Sequence, residues 1–468
     1  MADYLTISDA AAALRARDVS ATELVRHAIA VADQTDPLVA TFLTRFVDES
    51  IAAAAAADDA IAAGADLGPL HGIPIGIKDM ISTREGPTTA QSVVFDSDSS
   101  TGDATVAANL RAGGAVIMGK ATMSEFSIGV PDEEKPFPIP RNPWDRTRWT
   151  GGSSAGSANG VACGAFLGAV GSDSGGSIRI PAAFCGISGL LPTYALVPRT
   201  GYVPAAFTLD NIGPMARSAR DCALLLGVMA GGANDYAGGL SGDLRGMRIG
   251  VDRLSRIAGD LEVPELPALF DAALASFESL GAEVVEVELP LYHELVAAVM
   301  VVTVSEALAY HRDDLQARWS DYFAWTRRIV ATGAFVSGAD YVQAQRLREV
   351  GKKRLAQLFS DVDLVVTPTS SAVAISFADL DEAIGGAGMG KFGAVHTAYW
   401  NATGNPVLSV PIGFTANGLP LGLQIAGRPH QDASVLRAGD AMQQQTDWHL
   451  RIPPVAVAAA ELPERTAR

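Results

Sequence analysis

Apolar positions follow two textures along the chain. Up to about residue 60 they recur at helical spacing. Leu24, Val25, Ala28 and Ile29 follow Ser20-Ala-Thr-Glu23, a pattern in which a serine hydroxyl and a glutamate three residues on satisfy N–H groups of a first helical turn. Residues 51–63 are alanine-rich and predict a second helix. From 71 to about 214 the chain changes to short apolar runs separated by Gly, Ser, Thr and Pro, which predicts buried strands joined by loops that carry function. Here 72–78 (Gly-Ile-Pro-Ile-Gly-Ile-Lys) predicts a strand that delivers Lys78 at its end, 104–112 a helix, 115–118 a short buried strand, and 155–170 a helix-like stretch of small residues. Residues 131–140 form a proline-rich loop. Further on, 247–251, 283–287, 364–368 and 407–412 predict buried strands. A helix near 265–280 turns the first two into a βαβ unit. Residues 291–358 are mostly helical, 433–445 is the last helix, and the glycine-rich 385–390 is a candidate hinge or lid. There is no internal repeat, and the alternation of strands and helices places the chain in the α/β class.

Composition narrows this picture. Of 468 residues, 48% are hydrophobic and 19% charged, the profile of a core-rich globular chain long enough for one large α/β domain or two to three smaller ones. The net charge of −17 predicts a surface that repels phosphate backbones and anionic membranes. Cys163, Cys185 and Cys222 are odd in number, lack metal-ligand spacing and sit among small and apolar residues; buried free thiols of a reducing compartment are expected. The opening residues lack the basic and apolar regions of a signal peptide, and the apolar run 296–304 is too short for a membrane span. A cytoplasmic protein is expected.

Candidate chemistry is concentrated in two glycine–serine clusters, Thr150-Gly-Gly-Ser-Ser-Ala-Gly-Ser-Ala158 and Gly171-Ser-Asp-Ser-Gly-Gly-Ser-Ile-Arg-Ile-Pro181. Glycines let backbone approach a ligand closely, so Ser174-Gly175-Gly176-Ser177 can aim successive N–H groups at one oxygen and leave a serine placed to attack the carbonyl they polarise. Two flexible loops would have the same composition. A serine needs a base. No histidine lies in either cluster, whereas Lys78 ends the apolar run and, desolvated, could lose its proton near neutral pH; a structural lysine paired with Asp79 is the alternative. Gly152-Ser-Ser-Ala-Gly156 formally fits a nucleophile elbow but lacks a strand before it. Gly114-Ala-Val-Ile-Met-Gly-Lys120-Ala121 nearly matches a P-loop but lacks the hydroxyl for magnesium. His71 reads as a loop or core histidine, and Asp210 as a turn or cap residue.

These segments, with Gly119-Lys-Ala-Thr-Met-Ser-Glu-Phe126, Leu209-Asp-Asn-Ile-Gly-Pro214, Gly404-Asn-Pro-Val-Leu-Ser-Val-Pro411 and Leu421-Gly-Leu-Gln-Ile-Ala-Gly-Arg-Pro429, resemble the amidase signature family over nearly the whole chain. The resemblance implies a single large domain with a mixed, mostly parallel sheet covered by helices on both faces. In it, 1–65 is a helical segment packed on a catalytic domain of 66–468, and 291–345 borders the substrate cleft. It implies a Ser–cis-Ser–Lys triad. Ser153 and Ser177 stand 24 residues apart, the family's spacing, which makes Ser153 the proton relay after a cis bond from Gly152, Ser177 the nucleophile and Lys78 the base. The N–H groups of Ser174, Gly175, Gly176 and Ser177 would hold the oxyanion; Asp173, Arg179 and Ser154 would brace the loop. No cofactor and no metal is implied. The expected activity is cleavage of C–N acyl bonds in small aryl or alkyl amides, with carbamates (urethanase activity) and esters behind them. The expected partners are the small-molecule substrate alone, without nucleic acid or membrane, in a monomer or homodimer. Aromatic residues offered for the pocket are Phe137, Tyr202, Phe207, Tyr310, Tyr322, Phe323, Trp325, Tyr399 and Trp400. Departures are Ala155 and Leu191, where glycine and lysine are frequent. An alternative is the transamidation subunit of a tRNA-dependent amidotransferase; such subunits usually read Ser-Ile-Arg-Gln-Pro, and this chain has Ile180 in place of the glutamine. A catalytically silent binding scaffold would have lost a triad member, and none is lost.

Overall fold

The computed structural model describes residues 6–384 and 390–460; residues 385–389 of the expected hinge lie outside them. Ser20 caps the helix Ala21–Val39 as its sequence predicts: its hydroxyl accepts the Glu23 N–H at 3.1 Å, and the Glu23 carboxylate accepts the Ser20 N–H at 2.9 Å. Eleven strands form one sheet: β1 (Phe42–Arg45), β2 (Pro74–Lys78), β3 (Val116–Ala121), β4 (Gly168–Asp173), β5 (Ser188–Leu191), β6 (Asn211–Ala216), β7 (Arg248–Val251), β8 (Glu283–Glu286), β9 (Leu364–Pro368), β10 (Val407–Phe414) and β11 (Pro420–Gly427). Their spatial order is β1-β3-β2-β4-β6-β5-β10-β11-β9-β7-β8.

The sheet is mixed, within one large α/β domain. Four of its ten neighbour pairings are parallel: β3 with β2, β2 with β4, β9 with β7 and β7 with β8. The other six are antiparallel, so parallel pairing holds at two flanks rather than throughout. The alternating runs found in the sequence are the flanks, where helices cross between parallel strands as such pairings require. The centre is built from strands interrupted by Gly and Pro, such as β6 with Gly213 and Pro214, and proline weighs against reading a central strand.

Two expectations change in the same way. Residues 155–170 are not one helix: the helix Ala155–Cys163 ends at Gly164, whose φ of 85° breaks it, and β4 follows. Residues 7–60 are not all helical either, because β1 intervenes and pairs with β3. The N-terminal helices belong to the main core: Ile7, Leu14 and Val25 are buried in the same cluster as Ile75, Ile77 and Val170.

The helix Tyr292–Ala317 is long and apolar enough by length and composition to cross a membrane. Leu295, Val299 and Val302 on it are buried in a second cluster with Trp400 and Val407 of the globular body. All three cysteines are free and buried; burial pushes the Cys163 thiol up to about 12.

The helix Ala155–Cys163 packs so closely on β3 that its glycines are required. A Cβ at Gly156 would lie 2.3 Å from the Thr41 carbonyl oxygen and 2.5 Å from the Thr122 nitrogen. Both are backbone atoms and cannot rotate away. Gly156→Ala is therefore expected to destabilise the fold by about 1–3 kcal/mol, read as a lower urea midpoint with an unchanged m-value.

Candidate active site

β2 and β4 run side by side in parallel, so their C-terminal ends open on one edge of the sheet. Lys78 ends β2 and Asp173 ends β4. β6 is antiparallel to β4, with Asn211 opposite Asp173, so the start of β6 reaches the same edge and brings Asp210 with it.

Lys78 is fully buried. Its Nζ lies 2.6 Å from Ser153 Oγ and 2.8 Å from Ser172 Oγ. Burial pushes its pKa down to about 7, against the upward pull of Asp173 and Asp210. Asp79 is not its partner: that carboxylate faces Lys120 at 3.5 Å and accepts the Thr89 N–H at 3.0 Å. Lys120 is thus the ion-pair partner of Asp79, on a strand rather than in a phosphate loop.

The peptide bond from Gly152 to Ser153 is cis. The Ser153 carbonyl accepts the Ser124 N–H at 3.1 Å. Ser154 joins the two glycine–serine clusters: its N–H donates to the Ser177 carbonyl at 3.1 Å, its hydroxyl donates to the Ser172 carbonyl at 3.1 Å, and it accepts the Ser172 N–H at 3.2 Å. Ser177 is partly exposed, whereas Ser153 is buried.

The loop 174–177 is held from beneath by a buried ion pair. Arg179 reaches both Asp173 oxygens at 3.0 Å and also donates to the Thr397 carbonyl, Gln424 Oε1 and Asn401 Oδ1 at 2.7–2.8 Å. Burial alone would push the Asp173 carboxyl up; the Arg179 charge and the hydrogen bonds outweigh it and hold it below the usual range. Asp173 also accepts the N–H groups of Gly176 at 2.7 Å and Ile178 at 3.1 Å. The Gly176 N–H is therefore committed within the loop, a departure from the four-donor oxyanion arrangement expected of Ser174, Gly175, Gly176 and Ser177. Gly176 is needed for its backbone: its φ is 131°, and a Cβ there would lie 2.0 Å from Thr397 Oγ1.

Ser172, Asp210, Thr397, Asn401 and Gln424 escape sequence reasoning. Ser172 stands beside Asp173 within the second cluster, and Asp210 reads as a turn residue. Thr397, Asn401 and Gln424 arrive from more than 200 residues away. Of the aromatic residues expected at the pocket, Tyr322, Phe323, Tyr399 and Trp400 are core side chains; Phe137, Tyr202 and Trp325 are partly exposed, and Phe207 and Tyr310 are exposed. His71 packs against Gly114, away from this edge. Among the described residues no group of three or more His, Cys, Asp or Glu side chains is arranged to hold a metal ion.

A shared sheet edge, a buried amine beside Ser153 and a glycine-rich loop carrying Ser177 make up the candidate site of this α/β domain. The family model for amidases matches residues 23–436, and the chain belongs to the amidase signature family. It is 39% identical to a glutamyl-tRNA(Gln) amidotransferase subunit of Chloroflexus aggregans, over 97% of this chain and 99% of that one. Among solved structures it resembles a chain described from a vestigial protein complex that reveals the evolutionary origins of an s-triazine catabolic enzyme, with a TM-score of 0.84 and 29% identity over 94% and 98% of the two chains. It also resembles the peptide amidase of Stenotrophomonas maltophilia, with a TM-score of 0.81 and 27% identity over 95% and 97%.

The likeness to one component of an enzyme named for a tRNA corrects the expectation of a small-molecule substrate alone, no nucleic acid and a monomer or homodimer. That expectation's exclusion of nucleic acid rests on a net charge of −17. The charge of one chain describes its own average surface and does not determine what an assembly containing it binds.

Proposed function

We propose that this chain cleaves a carboxamide through an acyl-enzyme on Ser177 and acts as the amide-cleaving subunit of an amidotransferase that works with glutamyl-tRNA. The Lys78 amine, buried and 2.6 Å from Ser153 Oγ, carries the chemical half of this reading. In its neutral form Lys78 takes the Ser153 proton as Ser153 takes that of Ser177, and Ser177 Oγ bonds to the carbonyl carbon. The N–H groups of Ser174, Gly175 and Ser177 receive the oxyanion, an effect worth ~3–4 kcal/mol per important donor. The proton returns through Ser153 to the leaving nitrogen, and water then frees the acyl group. Asp173, Arg179 and Ser154 hold the loop in register with the relay.

The subunit half is supported by identity of 39% along nearly the full length of both chains. The released nitrogen would then be passed to an acceptor rather than lost to water, in the cytoplasm. Ile180 favours a second reading. It is partly exposed, and its Cδ1 lies 2.8 Å from where a Cβ on Gly176 would stand. An apolar side chain beside the loop suits an amidase for apolar amides.

The chain should be purified from its own cells under native conditions and assayed for ammonia release from a free carboxamide donor with and without glutamyl-tRNA. Release that depends on a co-purifying partner supports the subunit reading; full activity of the chain alone sinks it in favour of the second. In either case Ser177→Ala is expected to abolish labelling by a fluorophosphonate probe, and labelling that persists removes Ser177 as nucleophile.

A further inference from the structure

Asp210 is a buried charge that the reaction above leaves without a task. It is 1% exposed and sits just before β6, at the edge where Lys78 and Asp173 end their strands. Its carboxylate accepts the Ser174 hydroxyl, the Tyr202 hydroxyl at 2.5 Å, the Ala205 N–H at 3.0 Å and the Ala206 N–H at 3.0 and 3.1 Å. Every one of these donors is neutral.

The other buried carboxylates around Lys78 have cations against them. Asp173 on β4 meets Arg179 at 3.0 Å, and Asp79 after β2 meets Lys120 of β3 at 3.5 Å. The Asp210 carboxylate instead has neutral donors against it, and the cation beside it, Arg199, donates to the Asp210 main-chain carbonyl at 3.0 Å. A buried charge interacts more strongly than an exposed one, because little water screens it. It also needs hydrogen bonds to be tolerated, and the 205–206 backbone supplies them.

We propose that Asp210 is a positioning residue for acylation: its charge, met at the carboxylate by neutral donors, favours the ammonium that Lys78 becomes, while its bond to Ser174 fixes the first residue of the oxyanion loop. This rests on the acyl-enzyme reading above. In that step the Ser177 oxygen bonds to the carbonyl carbon and the carbonyl π pair moves to its oxygen. The Ser177 proton goes to Ser153, and the Ser153 proton goes to Lys78. One positive charge appears on Lys78 and one negative charge on the carbonyl oxygen; Asp210 stabilises the first. Asp173 and Asp210 both pull the proton affinity of Lys78 upward against burial; Arg179 meets Asp173 at its carboxylate, whereas Arg199 meets Asp210 at its main-chain carbonyl.

The test is the rate at which a fluorophosphonate probe phosphonylates Ser177, a reaction in which Ser177 Oγ bonds to phosphorus, fluoride leaves and the serine proton goes to the same relay, measured as a function of pH on the full chain with any partner that co-purifies. In the wild type the rate rises as pH passes through about 7. Asp210→Asn removes the charge and keeps the shape, and should move that ascending limb down by about one pH unit, the low end for loss of one nearby opposite charge. Tyr202→Phe removes a neutral donor from the carboxylate and leaves the charge less offset; it should move the limb upward. A residue that only holds the loop would lower the plateau in both variants and leave the limb in place. An unmoved limb in Asp210→Asn overturns the proposal. If that variant does not fold, an unmoved or lowered limb in Tyr202→Phe overturns it. Failure of the wild type to label at Ser177 overturns the acyl-enzyme reading and this inference with it, whereas a labelled wild type with unmoved limbs overturns this inference alone.

Discussion

Lys78→Met is expected to lower kcat/KM for amide cleavage on the order of 10³-fold, within the range of a positioned general base. Methionine has nearly the length of lysine and no charge, so it fills the channel beneath Ser153 without stranding a buried cation. What it removes is the nitrogen between Ser153 and Ser172. The sign of the pH dependence follows from burial. Only neutral Lys78 can accept a proton, and its pKa lies at about 7. Wild-type activity should therefore fall as pH drops through about 7 and level off above it. Stability should move the same way. Between about 7 and the usual 10.5 the unfolded chain holds a proton on Lys78 that the fold does not, so stability rises with pH across that window. Lys78→Met should flatten this rise in urea melts taken from pH 6 to 10. A mild loss of activity, or a slope that survives in the variant, would remove Lys78 as the base.

The largest effect on stability is expected from Arg179→Met. Arg179 and Asp173 are both fully buried. Removing the arginine leaves the carboxylate with no counter-charge and also deprives Thr397, Gln424 and Asn401 of a donor. Breaking a buried pair from one side costs about 3–5 kcal/mol, read as a lower urea midpoint. Because Asp173 also fixes the Gly176 and Ile178 N–H groups, probe labelling at Ser177 should fall in the fraction that is still folded. The stabilisation from Asp173 is present above the usual carboxylate value of 3.8 and lost as pH falls through its depressed folded value. An Arg179→Met protein should therefore lose less stability than the wild type when acidified. Equal urea midpoints for the two proteins at neutral pH would refute the brace.

The sequence was most legible where a local pattern had one physical meaning. Ser20 and Glu23 predict a helix start because their bonds are three residues apart. Gly72 to Lys78 predicts a strand because little else in that run is polar. The candidate chemistry was legible only in part: Lys78 and the two clusters carry distinctive residue types, and the resemblance to the amidase signature family supplied their expected roles. What escaped was decided by distant partners. β6 and β11 contain prolines and glycines that read as loops until the neighbouring strands are present. Trp400 and Tyr399 read as pocket aromatics because aromatic character says nothing about which face meets solvent; they stack into the core beside Tyr292. Asp210 reads as a turn residue because its bond to Ser174 comes from the pairing of β6 with β4. Net charge misled most about partners, since it averages a surface that an assembly would use in parts.

Lys78, Asp173 and Asp210 stand at the tips of adjoining strands whose registers are fixed by ladders: Ile77 opposite Val170, and Asp173 opposite Asn211. None of them can slide without shifting a whole row of main-chain bonds. We propose that discrimination among substrates falls to surface turns rather than to the strand tips, the exposed Phe207 on the turn before Asp210 and the proline-rich stretch at 131–140 being the candidates. The molecule separates a fixed tool from an exchangeable grip, so new specificities can arise by rebuilding surface turns while the bond-breaking apparatus stays untouched.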